Sequence, residues 1–260
     1  MCYDVSSQLS AKIKYARHRG EHPSYIEELE RKLEEWLKQR GPKYHASGFT
    51  HPDLMVFTNE KPYEPQGYMW GLIPGFIKDW ESAKILYNKT LNARGETIFQ
   101  LPSFKKAAVS RRCLIYVDGF FEHHHLGKQT YPFYITMKDE SPMALAGLWE
   151  KWEEKNTGRI IHTTTIVTTS ANETMAKIHN NPKAEGPRMP VILLKEQQNE
   201  WLGPCETPAD QEHLQSLLLP LPDDAIQYHS VRRLRGKEAV GDLPQAVEKL
   251  EYSELAFDFN

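Results

Sequence analysis

Between residues 44 and 135 the chain falls into short runs of β-favouring residues, each cut off by Gly, Pro or Asn. Runs of this length cannot form long helices, and the punctuation between them is turn chemistry, so the pattern demands a strand-rich core. Residues 54–57, 67–73, 113–117 and 133–136 read as strands, and residues 144–149 and 162–169 add two more. Helical pattern is confined to the flanks. Ile26, Leu29, Leu33, Trp36 and Leu37 recur at helical spacing behind a start at His22-Pro23-Ser24, and Gly41-Pro42 stops them. Residues 171–178 and 196–202 suit short helices, residues 191–194 open a further element, and a strand is expected near residues 226–231. Residues 243–250 again show helical spacing. No repeat or linker divides the chain. The expected architecture is α+β, one domain over residues 1–260 with a mostly antiparallel, barrel-like β core and flanking helices. Within it, residues 2–194 form the motif-bearing core and residues 195–260 a C-terminal extension.

Composition narrows the functional classes. The three cysteines, Cys2, Cys113 and Cys205, are odd in number and lack metal-ligand spacing, which argues against a disulfide framework and a zinc site and for a reducing compartment. The run His123-His124-His125 does not restore a metal reading, because adjacent strand residues point to opposite faces. No apolar run reaches membrane-spanning length, and the first twenty residues lack a secretory h-region, so a cytoplasmic location without membrane contact is expected. A net charge of −3 means that any affinity for nucleic acid must come from local positive charge. A basic cluster at Lys12, Lys14, Arg17 and Arg19 has a solvated helix face as its ordinary meaning.

The second residue carries the sharpest chemical possibility. Cys is small enough for methionine aminopeptidases to remove the preceding Met, which would leave an α-amine and a thiol on adjacent carbons. Such a 1,2-aminothiol condenses with an aldehyde to an imine, and the thiol then closes a five-membered thiazolidine. Ordinary pKa values of about 8 and 8.5 keep both nucleophilic forms within reach at neutral pH. The bland alternative is a frayed terminus.

Four stretches bring polar residues into a core that would not otherwise want them. They are Trp70-Gly71-Leu72-Ile73-Pro74-Gly75, Asn92-Ala93-Arg94-Gly95-Glu96-Thr97, Asp118-Gly119-Phe120-Phe121-Glu122, and Ile178-His179 followed by Arg188-Met189-Pro190-Val191-Ile192-Leu193. With Cys2 ahead of them, in this order, they resemble the SOS response-associated peptidase (SRAP) family of abasic-site-binding proteins. The resemblance runs from residue 2 to about 194. It implies a sensor that binds single-stranded DNA and traps the ring-opened aldehyde of an abasic site as a thiazolidine. It also implies autoproteolytic removal of Met1, no cofactor and a monomer. Carried over residue by residue, Cys2 is the crosslinking nucleophile, Asn92 positions its amine, Glu122 and His179 are the acid/base groups, and Arg94 and Arg188 contact phosphates. Trp70, Gly71 and Thr168 join the nucleic-acid-binding set, Trp70 as a stacking surface.

The residues themselves suit those roles. A His titrating near 6.5 can protonate the ring oxygen of the closed hemiacetal, and a carboxyl group of raised pKa such as Glu122 can carry the proton from amine to departing water. Residues 92 and 94 share one face of a strand, and Arg suits bidentate phosphate binding. Plainer roles stand beside these. Glu122 can satisfy a turn, His179 can cap a helix dipole, Arg94 can pair with Glu96, and Trp70 can simply be core.

Two departures from the family pattern matter: Tyr3 and Asp4 stand where Gly and Arg are common, and His123 stands where an aromatic residue often follows the motif Glu. The segment 180–187, with two Pro and one Gly, is also longer than usual, and is expected to be a surface loop rimming the DNA groove. Two other functions remain open: an N-terminal-nucleophile thiol peptidase or hydrolase using Cys2, His179 and Asn92, and a non-covalent nucleic-acid-binding module.

Overall fold

The structure, a computed structural model, describes residues 2–8 and 23–256. Met1, the basic cluster at Lys12, Lys14, Arg17 and Arg19, and the helix start at His22 lie outside the described residues.

Five strands close a barrel. They are β3 (Asp53–Thr58), β4 (Gln66–Trp70), β6 (Arg112–Val117), β9 (Met143–Glu153) and β10 (Ile160–Ser170), in the order β10-β4-β3-β6-β9. Closure comes from β9 pairing back onto β10, from Ile160↔Glu153 to Ile166↔Gly147. Every pairing in the ring is antiparallel except β10 with β4, where Thr163 meets Met69 and Thr164 meets Trp70. β10 is long enough to change partners along its length. Beyond β4 the same strand pairs in parallel with β5 (Asn92–Arg94), and beyond β9 it pairs with β11 (Arg188–Pro190). The upper end of β10 therefore gathers two of the motif stretches.

A second sheet, antiparallel throughout, runs β12-β8-β7-β1-β2. Its strands are β1 (Asp4–Ser7), β2 (Lys43–Ser47), β7 (Gly119–Leu126), β8 (Gln129–Met137) and β12 (Ile226–Ser230). Period-two alternation sorts the core. On β6, Cys113, Ile115 and Val117 face the barrel interior, which merges with the inner face of the second sheet at Val5, Phe120 and Ile135. Leu114 and Tyr116 face outward, under α1 (Pro23–Arg40), α3 (Lys105–Ser110), α5 (Lys195–Leu202) and α6 (Pro208–Ser216). In α1, Leu29 and Leu33 are buried at one turn's spacing, each worth about 1.5–3 kcal/mol of burial. Helices α2 (Trp80–Leu86) and α4 (Glu173–Ile178) complete the set among the described residues. Among the described residues, no helix is long and apolar enough to cross a membrane.

The expected α+β fold with a barrel-like, mostly antiparallel core is what forms. Two local expectations do not hold. The strand expected over residues 67–73 ends at Trp70, because Gly71 turns the chain with φ of 122°. Residues 243–250 are not a helix: only Pro244–Ala246 form a single 3-10 turn, Leu243 stays 53% exposed, and Lys249 bridges to Val231. Ala246 and Val247 pack from this turn onto the cluster of Phe121, Tyr134, Val231 and Leu234, so the segment buries its apolar residues without a helix.

Gly119, in the Asp-Gly-Phe-Phe-Glu stretch, shows why that motif needs glycine. A Cβ there would lie 2.4 Å from the backbone oxygen of Ile135 and 2.6 Å from the Tyr134 ring. Gly119→Ala must push β7 away from β8. It is expected to destabilise the fold by about 1–3 kcal/mol, measured as a lower urea midpoint, and an unchanged midpoint would show that the two strands separate freely.

Candidate active site at the N-terminal cysteine

The N-terminal strand is held on both edges. β1 pairs with β2 through Asp4↔Ser47 and with β7 through Asp4↔Phe121, Val5↔Phe120 and Ser6↔Gly119. Just ahead of it, the Tyr3 carbonyl accepts a hydrogen bond from Gly48 N (2.7 Å). Cys2 is thereby drawn into the core, only 1% exposed, with its thiol donating to the Asp4 carbonyl at 3.9 Å. Burial, then the charge of Glu122, push the Cys2 thiol well above its ordinary pKa.

Asn92 reaches the same point from β5, which is set by its parallel register with β10 (Asn92↔Ile166, Arg94↔Thr168). Its amide Nδ2 donates to the Cys2 carbonyl at 2.8 Å, while its buried Oδ1 has no hydrogen-bond partner among the described residues. Leaving such an acceptor bare costs about 1–3 kcal/mol, so a donor that arrives there is welcomed.

Glu122 projects from β7 on the Phe120 side. Its Oε1 accepts from His123 N (3.0 Å), and its Oε2 lies 3.7 Å from His179 Nδ1. His179 terminates α4, whose first turn is capped by Asn172 accepting from Met175 N. The His179 Nδ1 atom sits 3.0 Å from both the N and the O of Arg188. A bare Nδ1 accepts the Arg188 N–H, and a protonated Nδ1 donates to the Arg188 carbonyl. The ring is thus seated in either protonation state, as a proton carrier needs.

Above these groups opens a groove of about 540 Å³, its walls including Tyr3, Asp4, Glu122, His179, Arg94 and Arg188. Arg188 donates twice to Glu96 (3.0 and 2.7 Å) and also reaches Thr168 through Oγ1 (3.3 Å) and O (2.8 Å). Arg94 pairs with Glu185 at 2.5 Å rather than with Glu96. Glu185 belongs to the segment 180–187, which does rim the groove, with Asn181, Lys183, Ala184 and Gly186 also on its wall. Opposite, the buried Asp4 carboxylate accepts from His45 Nε2 (2.9 Å) and Arg235 Nη2 (2.5 Å). Burial pushes Asp4 up, but these two partners outweigh it and hold the carboxyl below its ordinary range.

The structure thus brings Cys2, Asn92, Glu122 and His179 together and puts Arg94 and Arg188 on the groove above them. Thr168 is fully buried and orients Arg188 from behind. Trp70 and Gly71 need correction. Trp70 is 0% exposed, with its indole N–H donating to Leu91 O, so neither ring face is open to a base. Gly71 is a turn residue whose added Cβ would meet His51 and Tyr87 at 2.9 Å. Of the three consecutive histidines, His123 and His125 face the groove while buried His124 turns away to bond Lys177 O (3.0 Å). Sequence reasoning missed Arg233 and Arg235, which also line the groove. The Arg-rich run Val231-Arg-Arg-Leu-Arg235 was the available signal.

The family model described as SOS response associated peptidase (SRAP) matches residues 13–237. The chain belongs to the SRAP family. It is 41% identical over 196 residues to the abasic site processing protein YoqW of Bacillus subtilis, covering 74% of this chain and 81% of YoqW. The abasic site processing protein HMCES of Xenopus tropicalis is 29% identical over 181 residues, 62% of this chain and 50% of HMCES. A crystal structure of a Bacteroides thetaiotaomicron protein superposes with a TM-score of 0.79 at 30% identity, covering 96% of this chain and all of that one.

In this SRAP protein, the depressed Asp4 carboxyl links the N-terminal strand to pH. A group that titrates lower in the folded state gives stability that is full above its unfolded pKa of about 3.9 and vanishes as pH falls through the folded value. Asp4→Asn is therefore expected to cost about 1–3 kcal/mol at pH 7 and to flatten the acid limb of stability below pH ~4. Urea melts at pH 7, 4 and 3 check this, and an acid limb identical to wild type would assign the titration to another group.

Proposed function

We propose that the protein captures abasic sites in single-stranded DNA as a covalent thiazolidine through Cys2, after loss of Met1. The observation that carries this reading is the Asn92 clamp: one end of its amide holds the Cys2 carbonyl and the other is an open buried acceptor, beside Glu122 and His179. A free amine on Cys2 carries N–H donors that such an acceptor suits while leaving its lone pair for the aldehyde, and a peptide terminus is where one arises. The names of the relatives, abasic site processing proteins, agree with this chemistry.

Met1 leaves by hydrolysis of the Met1–Cys2 peptide bond, with one water consumed. His179 then donates a proton to the ring oxygen of the abasic sugar while the C1 hydroxyl gives up its own proton to water, and the ring opens to the aldehyde. The Cys2 amine adds to the aldehyde carbon, Glu122 shuttles a proton from nitrogen to the hydroxyl, and water departs to leave the imine. Thiol addition to the imine carbon, with the S–H proton ending on nitrogen through Glu122, closes the ring. The protonated state favoured for the buried thiol fits this order, amine first and sulfur second. It suits a thiolate peptidase acting on other proteins much less well, since that chemistry needs the anion at the outset.

Arg94 and Arg188 are the phosphate contacts in this reading, displacing their carboxylate partners as DNA enters. With about two to four such contacts, the slope of log K against log salt for single strands should be roughly −1.5 to −3. Salt titrations of non-covalent binding test this, and a slope near zero would place the DNA elsewhere.

The chemical roles separate by substitution. Cys2→Ala should abolish a denaturant-stable adduct while sparing weak binding. Glu122→Gln should slow adduct formation by about 10²–10⁴. His179→Ala should slow reaction with a closed-ring abasic site more than with a simple open-chain aldehyde. Timed denaturing gels read all three, and a robust Cys2→Ala adduct would overturn the proposal.

A further inference from the structure

The side of the groove next to Cys2 carries a feature that none of the family motifs contains. Phe49 lies on the 3-10 turn Gly48–Thr50, whose Gly48 N is bonded to the Tyr3 carbonyl. Although aromatic, it is 51% exposed. Its ring rests on that of Tyr3, with centroids 5.0 Å apart and planes tilted by 30°. The Arg235 guanidinium carbon lies 5.9 Å from the Phe49 centroid and is held from behind by buried Asp4. Tyr3 and Arg235 both line the groove. The result is a step beside the reactive residue: a half-exposed apolar ring, backed by a second ring, with a fixed cation reaching over part of it.

We propose that Phe49 stacks a nucleobase immediately flanking the abasic site while Arg235 holds the adjoining phosphate, so that this step sets the lesion over Cys2. The proposal rests on the function above and adds a subsite to it. Three observations favour a nucleotide as occupant. Base stacking needs an exposed aromatic face, which Trp70 does not offer. The groove wall carries five cationic side chains, Arg94, Lys183, Arg188, Arg233 and Arg235, against three carboxylates, Asp4, Glu122 and Glu185. An Arg fixed by a buried carboxylate is already ordered, so little is lost when a phosphate binds it. In this chain Asp4 thus has a purpose: it imports, from a distant part of the sequence, a positive charge next to the nucleophile.

The test uses single-stranded oligonucleotides with a tetrahydrofuran residue at the lesion, which has no aldehyde and reports binding alone. With adenine on both flanks, Phe49→Ala should weaken binding by about 5- to 150-fold, the range for one stacked base. When the flanking adenines are also replaced by tetrahydrofuran, wild type should lose a similar factor and Phe49→Ala nothing further. Phe49→Leu, which keeps apolar bulk without the ring, should behave like Phe49→Ala. Arg235→Ala should flatten the salt slope by about 0.7 on either oligonucleotide, with Arg235→Lys restoring it. Equal losses for Phe49→Ala on both oligonucleotides, or no loss on either, would overturn the stacking subsite. An unchanged slope in Arg235→Ala would overturn its phosphate contact. Failure of the crosslinking reading would show separately, as no adduct between wild type and an aldehyde-bearing abasic strand.

Discussion

The site depends on a chain terminus that is not allowed to fray. Terminal residues are ordinarily the least ordered part of a domain, yet here β1 is an interior strand of its sheet, bonded to β7 on one edge and β2 on the other. The Tyr3 and Cys2 carbonyls are each claimed as well, by Gly48 N and Asn92 Nδ2. With the backbone of residues 2–6 fixed, the Cys2 side chain has one place to go, into the core beneath the groove. The closed barrel supplies the rigidity behind it, because β10 is anchored along both edges and carries β5 and β11 at its far end. Removing the β1 pairing would scatter the cysteine from its asparagine, carboxyl and imidazole partners at once.

Charge on the groove is arranged in pairs. Arg94 faces Glu185, Arg188 faces Glu96, Arg235 faces Asp4 and Arg233 faces Glu238. Glu185, Glu96 and Glu238 are exposed, and pairs of this kind are worth about 0–1 kcal/mol each. A phosphate can therefore exchange for these carboxylates at little cost, whereas buried Asp4 keeps Arg235 in place. Pairing leaves the wall of the resting groove with only a small excess of positive charge. Under the proposed function such a surface would hold undamaged DNA only loosely, and selectivity would fall to the covalent step, which needs the aldehyde that an abasic site presents.

Much of the fold was readable because barrel strands carry their own signal. The β-favouring runs at residues 54–57, 113–117 and 144–149 sit inside β3, β6 and β9. β1 and β2 were not readable: they are short, largely polar, and stabilised by partners far away in sequence rather than by their own pattern. The same division holds at the site. Cys2, Asn92, Glu122 and His179 were legible through the ordered motifs that resemble the SRAP family, and the geometry brings them together. Trp70 misled because a tryptophan beside a glycine suits a binding surface and a core equally; only burial separates the two. Arg235 was invisible as a partner of Asp4 because 231 positions separate them, and no periodicity links a C-terminal arginine to an N-terminal carboxylate.

The central claim is that the bond to DNA is made by the α-amine and thiol of residue 2 together. Peptide mass spectrometry after reaction with an abasic strand and nuclease digestion tests it most directly. The expected product is the N-terminal peptide beginning at Cys2, lacking Met1, with the sugar fragment attached and one water lost, and with its thiol no longer alkylated by iodoacetamide. An adduct on a lysine, an adduct on a peptide retaining Met1, or a Cys2 thiol still open to alkylation would contradict it.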